Sequence, residues 1–336
     1  MKRTKTAIAA AALLAGAITL VGSTSASADS TPQARDIVGS GSDTSQFALN
    51  YVADGYLAGT TVKTGYNGLA NARLVSFDAI TINNVTHDNI VVRPGTAAIQ
   101  RPNGSTEGKN ALNANANFSF ARSSSALSTA EISAGLQAVP FAADGLKLSV
   151  SQTGTHAPAS ISAADMVKIY DGTYTNWSQL GGTSGPIKAY IPQSGSGTRS
   201  FFEAQLKAAN GNVTVVIPGT ILTSQEHDAA IFDPTNATYG ADAINAVAPF
   251  STGRAGLSPT LVHLEGGFSA QRALYNVVRT ADLSKAWFSS IFSSNGYLCS
   301  TSGKGAIEAA GFTQLALPDD GGVCGAPTTA ATTNFS

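Results

Sequence analysis

The sequence predicts an α/β fold. Short β-type runs alternate with helix-type patterns along the chain, and Gly/Ser/Thr loops stand at the junctions. No period of 20–50 residues recurs, which argues against a solenoid or a propeller. The 336 residues, 43% of them hydrophobic, are too many for one small core and suit one large or two medium domains.

Each element has a local reason. Asp36–Val38 reads as a short strand running into Gly39-Ser40-Gly41-Ser42-Asp43-Thr44. A helix is expected from Ser45 to about Leu57, with Phe47, Tyr51 and Val52 on one face. Residues 72–100 read as strands and turns around Leu74–Val75, Ile80–Ile82 and Ile90–Val92. Asn103–Gly108 opens a further helix, and Phe118–Ala121 is a strand leading into Arg122-Ser123-Ser124-Ser125. Ser128 with Glu131 has the spacing of a capping box. Val139–Val150 is a longer strand, and Ser162 caps a helix over Met166–Tyr170 that stops at Asp171-Gly172, with Trp177 in the next turn. Pro186–Ile191 is a strand, Gln193–Gly197 a tight loop, and Arg199–Ala209 a helix packing through Phe202 and Leu206.

Composition narrows the function. Twenty Lys+Arg balance 21 Asp+Glu, so no basic surplus exists for a phosphate backbone and nucleic acid is not an expected partner. Charged residues make up only 12%, and Ser, Thr, Gly, Ala and Asn take their place. Lys2, Arg3 and Lys5 precede the uncharged apolar run Ala7–Val21, and Ala26-Ser27-Ala28 supplies a small-x-small cleavage pattern. Residues 1–28 are therefore expected to be a signal peptide cleaved before Asp29. The run is short for a membrane span, and no Cys follows it to carry a lipid anchor. A secreted, extracellular or periplasmic, protein is expected. In an oxidising compartment Cys299 and Cys324 are most simply a disulfide, worth ~3.5 kcal/mol for a loop of about 25 residues. His87, His156, His227 and His263 show no metal-ligand spacing.

The four loops at 39–44, 103–108, 122–125 and 193–198 carry the chemistry. The first turn of a helix has unpaired N–H groups and partial positive charge, so it holds an anion without Lys or Arg. Glycine permits close backbone approach, and hydroxyls add rotatable donors. Enzyme patterns fail: Gly104–Asn110 has one residue too few between its glycines for a Walker A loop, and Gly39-Ser40-Gly41 lacks a third glycine. There is no G-x-S-x-G and no H-E-x-x-H, and no cofactor is implied.

Two blocks then carry a likeness: Met166–Gly172 with Asn176-Trp177, and Pro192–Phe202 (PQSGSGTRSFF). With Gly39–Thr44, Asn103–Leu112 and Phe120–Ser128, they resemble the PstS-type phosphate-binding proteins of ABC importers. The resemblance implies a two-lobed type II Venus-flytrap fold hinged on two crossover strands. Lobe one would comprise residues 29–148 and 256–336 and lobe two 149–255, with crossings near Lys147–Gln152 and Ser251–Ser258. It implies capture of inorganic phosphate or a related oxyanion by a monomer that delivers it to an ABC permease. Carried over by position, the contacts are Ser42, Asp43, Thr44, Ser105, Ser124, Ser196, Gly197 and Thr198.

Two departures stand out. Ser124 occupies the place of an Asp that accepts the proton of phosphate, and Pro192 the place of an Arg. Arg122 and Arg199 are the candidates to supply a bidentate fork instead. Two other classes compete: an extracellular adhesion or matrix protein of the same fold, and a secreted phosphatase-like enzyme using Asp43 or a serine.

Overall fold

The computed structural model describes residues 31–81 and 85–335. The expected signal peptide, its cleavage point and the end of the expected Ile80–Ile82 strand lie outside them. Ile80 and Thr81 are not in a strand.

The chain opens with strand β1 (Ile37–Gly41) and helix α1 (Gln46–Asp54). The helix ends at Asp54, three residues before the expected limit, because φ is +95° at Gly55 and a Cβ there would lie 2.0 Å from the Lys63 carbonyl oxygen. The chain turns instead into the hairpin β2 (Gly55–Ala58) and β3 (Thr61–Thr64). The buried stripe of α1 is Ala48, Leu49, Val52 and Ala53, while Phe47 and Tyr51 pack at its margin.

Strands β4 (Leu74–Ser76), β5 (Asn89–Ile90) and β6 (Ile99–Gln100) follow, then α2 (Ser105–Ala114), β7 (Phe120–Ser123) and α3 (Thr129–Ser133). The Ser128–Glu131 capping box opens α3 as its spacing predicts. The 16-residue β8 (Leu136–Ser151) then leads through β9 (Ser160–Ile161) to α4 (Ala163–Tyr170), capped by Ser162. Strand β10 (Lys188–Pro192), helix α5 (Gly197–Ala209), β11 (Leu222–Ser224), β12 (Ala246–Ser251) and α6 (Thr252–Gly256) come next. The 18-residue β13 (Val262–Arg279), α7 (Ala286–Ile291), α8 (Thr301–Ala309) and β14 (Thr313–Gln314) complete the fold.

One sheet carries both halves, in the order β11-β10-β12-β8-β13-β7-β1-β4. β1 runs parallel to β4 and β7, and β10 parallel to β11 and β12. Between these parallel sets, β8 and β13 pair antiparallel from Leu136↔Arg279 to Ser151↔Val262, with register slips between Leu264 and Ser269 and between Leu274 and Tyr275.

Alternation along the strands divides the apolar residues into layers. Ile37, Leu74 and Phe120 join α1, α8 and the Cys299–Cys324 disulfide on one face, while Val38, Val75, Ala121 and Leu112 pack on the other. In the second half Ala189, Ile191 and Val247 face α4, α5 and Trp177, and Tyr190, Ala246, Ala248 and Phe250 face Ile231 and Phe232. Along β8 membership passes from the first pair of cores to the second between Ala142 and Leu146. Along β13 it passes back between Phe268 and Ala273, beyond the expected Ser251–Ser258, because Ala255, Val262 and Phe268 are committed to the second half's cores. Among the described residues no helix is long and apolar enough to cross a membrane.

Candidate functional site

The C-terminal ends of the parallel strands in the two halves face each other, where α/β sheets bind ligands. Strand β1 delivers Ser42, Asp43 and Thr44, and β7 delivers Ser124. Ser105 begins α2 and Gly197 begins α5. The side chains of Ser42, Asp43, Thr44, Ser105, Ser124, Ser196 and Thr198 are all buried.

Two hydroxyl clusters result. Ser42 Oγ donates to Ser124 Oγ at 3.1 Å, Ser105 Oγ lies 3.4 Å from Ser124 Oγ, and the Ser124 N–H donates to Ser105 Oγ at 3.0 Å. Gly197 closes on this trio from the other half. A Cβ there would fall 2.3 Å from Ser105 Oγ and 2.4 Å from Ser124 Oγ, so only glycine fits. The second cluster centres on Thr44 and Thr198, whose hydroxyls are 3.2 Å apart across the halves. Ser196 is the N-cap of α5, its Oγ accepting from the Arg199 N–H at 3.0 Å, so it orders the loop.

Charged groups that no local pattern announced complete the site. Glu226, just past β11, takes three donors on Oε1: Thr44 Oγ1 at 2.9 Å, the Thr198 N–H at 3.2 Å, and the Thr198 hydroxyl. Its Oε2 is buried and has no hydrogen-bond partner among the described residues. His227 accepts from the Ser251 N–H on Nδ1, which leaves the proton on Nε2, 3.1 Å from Thr44 Oγ1. Burial, reinforced by Arg254 and Arg272, holds its pKa well below the ordinary value and the ring stays neutral. Arg272 donates from Nε and Nη2 to Asp144, and Nη2 also lies 3.4 Å from Thr44 Oγ1. Its Nη1 is buried and has no hydrogen-bond partner among the described residues.

Asp43 lies 3.3 Å from Arg254 Nη2, whose guanidinium rests over the Phe47 ring at 4.3 Å. Burial nevertheless pushes the Asp43 carboxyl up to about 7 against the pull of Arg254. The N-cap position of α1 belongs to Ser45, so Asp43 does not cap that helix.

The two arginines nominated from the sequence bond to the protein itself. Arg122 is fully buried, and its guanidinium donates to the carbonyls of Ser42 (3.0 Å), Phe77 (2.7 Å) and Gly41 (3.3 Å) and to the Ser76 hydroxyl. It shapes the first loop from behind. Arg199, half-buried in the first turn of α5, pairs with Glu203 at 2.9 Å and the Pro192 carbonyl at 3.2 Å. Arg272 and Arg254 are the guanidinium groups that reach Thr44 and Asp43. Among the described residues no cluster of three or more His, Cys, Asp or Glu is arranged to hold a metal ion.

A family model described as a PBP superfamily domain matches residues 26–331. The chain belongs to the PBP superfamily. Solved structures share the superfamily fold at low identity. A candidate phosphate ABC transporter substrate-binding protein from Clostridium perfringens, with bound phosphate, aligns at TM-score 0.60 and 16% identity, over 83% of this chain and 99% of that one. An ABC-type phosphate transport receptor from Vibrio cholerae aligns at 0.54 and 19%, over 83% and 99%. A high-affinity periplasmic phosphate-binding protein bound with phosphate aligns at 0.53 and 15%, over 84% and 91%. No curated protein matches the sequence. The two-lobed α/β architecture of this superfamily member is the one its sequence predicted.

Proposed function

We propose that this protein is an exported solute-binding protein that captures inorganic phosphate between its halves for an ABC importer. The observation that carries the reading is the meeting of Thr44 and Thr198, 3.2 Å apart, at the first turn of the 13-residue helix α5. A helix N-terminus with hydroxyls from both sides stabilises an anion and ties its capture to closure. Structural neighbours from Clostridium perfringens and Vibrio cholerae that are described as phosphate-transport proteins support the same ligand.

Ser42, Thr44, Ser105, Ser124, Gly197 and Thr198 are the proposed contacts, with Arg272 in place of Arg122 or Arg199 as the cation nearest the ligand. Asp43 acts through Arg254. The proposed lobes exchange within β8 and β13. Export by a cleaved leader and a monomeric state belong to this reading. Capture here is not catalysis, and p-nitrophenyl phosphate should not be turned over.

Calorimetry on protein stripped of ligand tests the reading. Phosphate should bind 1:1 with a measurable heat. No heat with phosphate, arsenate or sulfate would sink it and leave the matrix-protein alternative standing.

A further inference from the structure

The donors best placed to receive an anion are already in the hands of one. Glu226 Oε1 sits on the Thr198 N–H, the Thr198 hydroxyl and the Thr44 hydroxyl, which come from both halves. We propose that Glu226 is an internal anion that occupies the oxyanion seat, holds the two halves together, and must be displaced by the incoming ligand. The inference rests on the oxyanion-binding reading of the same cleft.

Three features lead to it. First, Glu226 and Thr198 belong to the second half and Thr44 to the first, so the carboxylate bridges the halves as a ligand would. Its neighbour Gln225 makes the same crossing, exchanging hydrogen bonds with Asn103 at 2.9 and 3.0 Å.

Second, the carboxylate is incompletely satisfied. Among the described residues Oε2 has no hydrogen-bond partner, and neither has Nη1 of Arg272, whose Nη2 reaches Thr44. Two buried groups left open on side chains that share the Thr44 hydroxyl mark a seat whose occupant fits it imperfectly. A tetrahedral oxyanion offers four oxygens where Glu226 offers two. It can engage the same Thr44 and Thr198 donors and also reach Arg272.

Third, Glu226 stands outside the hydrogen-bonded strand ladder. It follows a three-residue strand at the edge of the sheet, anchored at its N–H by Gln193 Oε1 at 2.7 Å. Swinging the side chain out requires rotation about side-chain bonds without unpairing the strand.

The device sets a threshold for affinity. An anion that cannot outbid a tethered carboxylate for three charge-assisted hydrogen bonds does not open the seat, which excludes monodentate carboxylates and chloride.

The test compares wild type, Glu226→Gln and Thr44→Val, each stripped of ligand by unfolding and refolding. Small-angle scattering gives the radius of gyration, and calorimetry gives affinity for inorganic phosphate. Glu226→Gln should show a larger radius than wild type and bind phosphate at least about tenfold more tightly, since a neutral amide oxygen ties the halves and competes for the seat less strongly than a carboxylate. Thr44→Val breaks the tie from the opposite half and should expand the protein in the same way; it carries the test if Glu226→Gln fails to refold. Equal radii for wild type and the variants overturn the proposal. Weaker phosphate binding by Glu226→Gln also overturns it, because Glu226 would then hold the ligand directly. If no protein binds phosphate, the oxyanion reading fails, and the radii alone decide whether Glu226 ties the halves.

Discussion

Arg272 and Asp144 stand opposite each other in the β8–β13 ladder, and the guanidinium grips the carboxylate with Nε at 3.1 Å and Nη2 at 2.9 Å. The pair lies where both strands pass from one set of cores to the other. Ser251 Oγ adds a 2.7 Å hydrogen bond to the same carboxylate, so the crossing between the halves is fixed by a buried polar knot.

Removing one member of that knot leaves a buried charge without its partner. Asp144→Ala should cost about 3–5 kcal/mol, read as a lower urea midpoint. Asp144→Asn should cost less, because its amide oxygen still accepts from Arg272 and Ser251. An Asp144→Leu/Arg272→Met double variant should recover most of the loss. A double variant as unstable as Asp144→Ala would show that the pair matters for more than its uncompensated charge.

Gly197 tests closure by size. Gly197→Ala places a methyl 2.3 Å from Ser105 Oγ and 2.4 Å from Ser124 Oγ, which belong to the other half. Overpacking of this kind costs about 1–3 kcal/mol, so phosphate affinity should fall roughly fivefold to a hundredfold. Scattering should show a larger radius with phosphate present. Unchanged affinity would mean that Ser105 and Ser124 do not approach Gly197 in the bound state.

The raised carboxyl of Asp43 makes stability depend on pH. Burial raises it to about 7 from 3.8, with Glu226 and Asp78 adding to the rise and Arg254 and Arg122 opposing it. The native state then holds a proton that the unfolded chain has lost. The resulting stability is complete below the unfolded value of 3.8 and disappears as pH climbs through about 7. His227 acts in the opposite sense: its depressed pKa gives stability above the unfolded value of 6.5 that is lost as pH falls. Asp43→Asn separates the two. Relative to wild type its denaturation midpoint should rise from about pH 4 to about pH 7 and then level off, and a constant difference would show that Asp43 titrates normally.

The disulfide closes a separation of 25 residues and is buried in the first half's core. Replacing both Cys299 and Cys324 by Ser should cost roughly 3.5 kcal/mol of unfolding free energy. Wild type unfolded with and without reductant should show the same gap. A gap near zero would mean that the core around Cys324 holds this loop closed without the bond.

Much of the fold is legible because its signals are local. The Ser128–Glu131 box, the Ser162 cap, the Gly172 stop and the Ser196–Thr198 loop each announce themselves within four residues. The cysteine pair needed only its compartment. What stays hidden depends on distance along the chain. Glu226, Arg254 and Arg272 meet Thr44 and Asp43, and Asp144 meets Arg272, only because elements far apart in the chain bring them together, and each alone reads as an ordinary charge. Arg122 misleads for the complementary reason. It lies inside a loop-like motif, yet the register of β7 beside β1 turns it onto the carbonyls of Gly41 and Ser42.

Strands β8 and β13 give the halves a common spine. A cut placed at either crossing would sever a paired strand and strip the other of its neighbour. The halves are therefore poor candidates for separate expression, and denaturation should take both down in a single cooperative step.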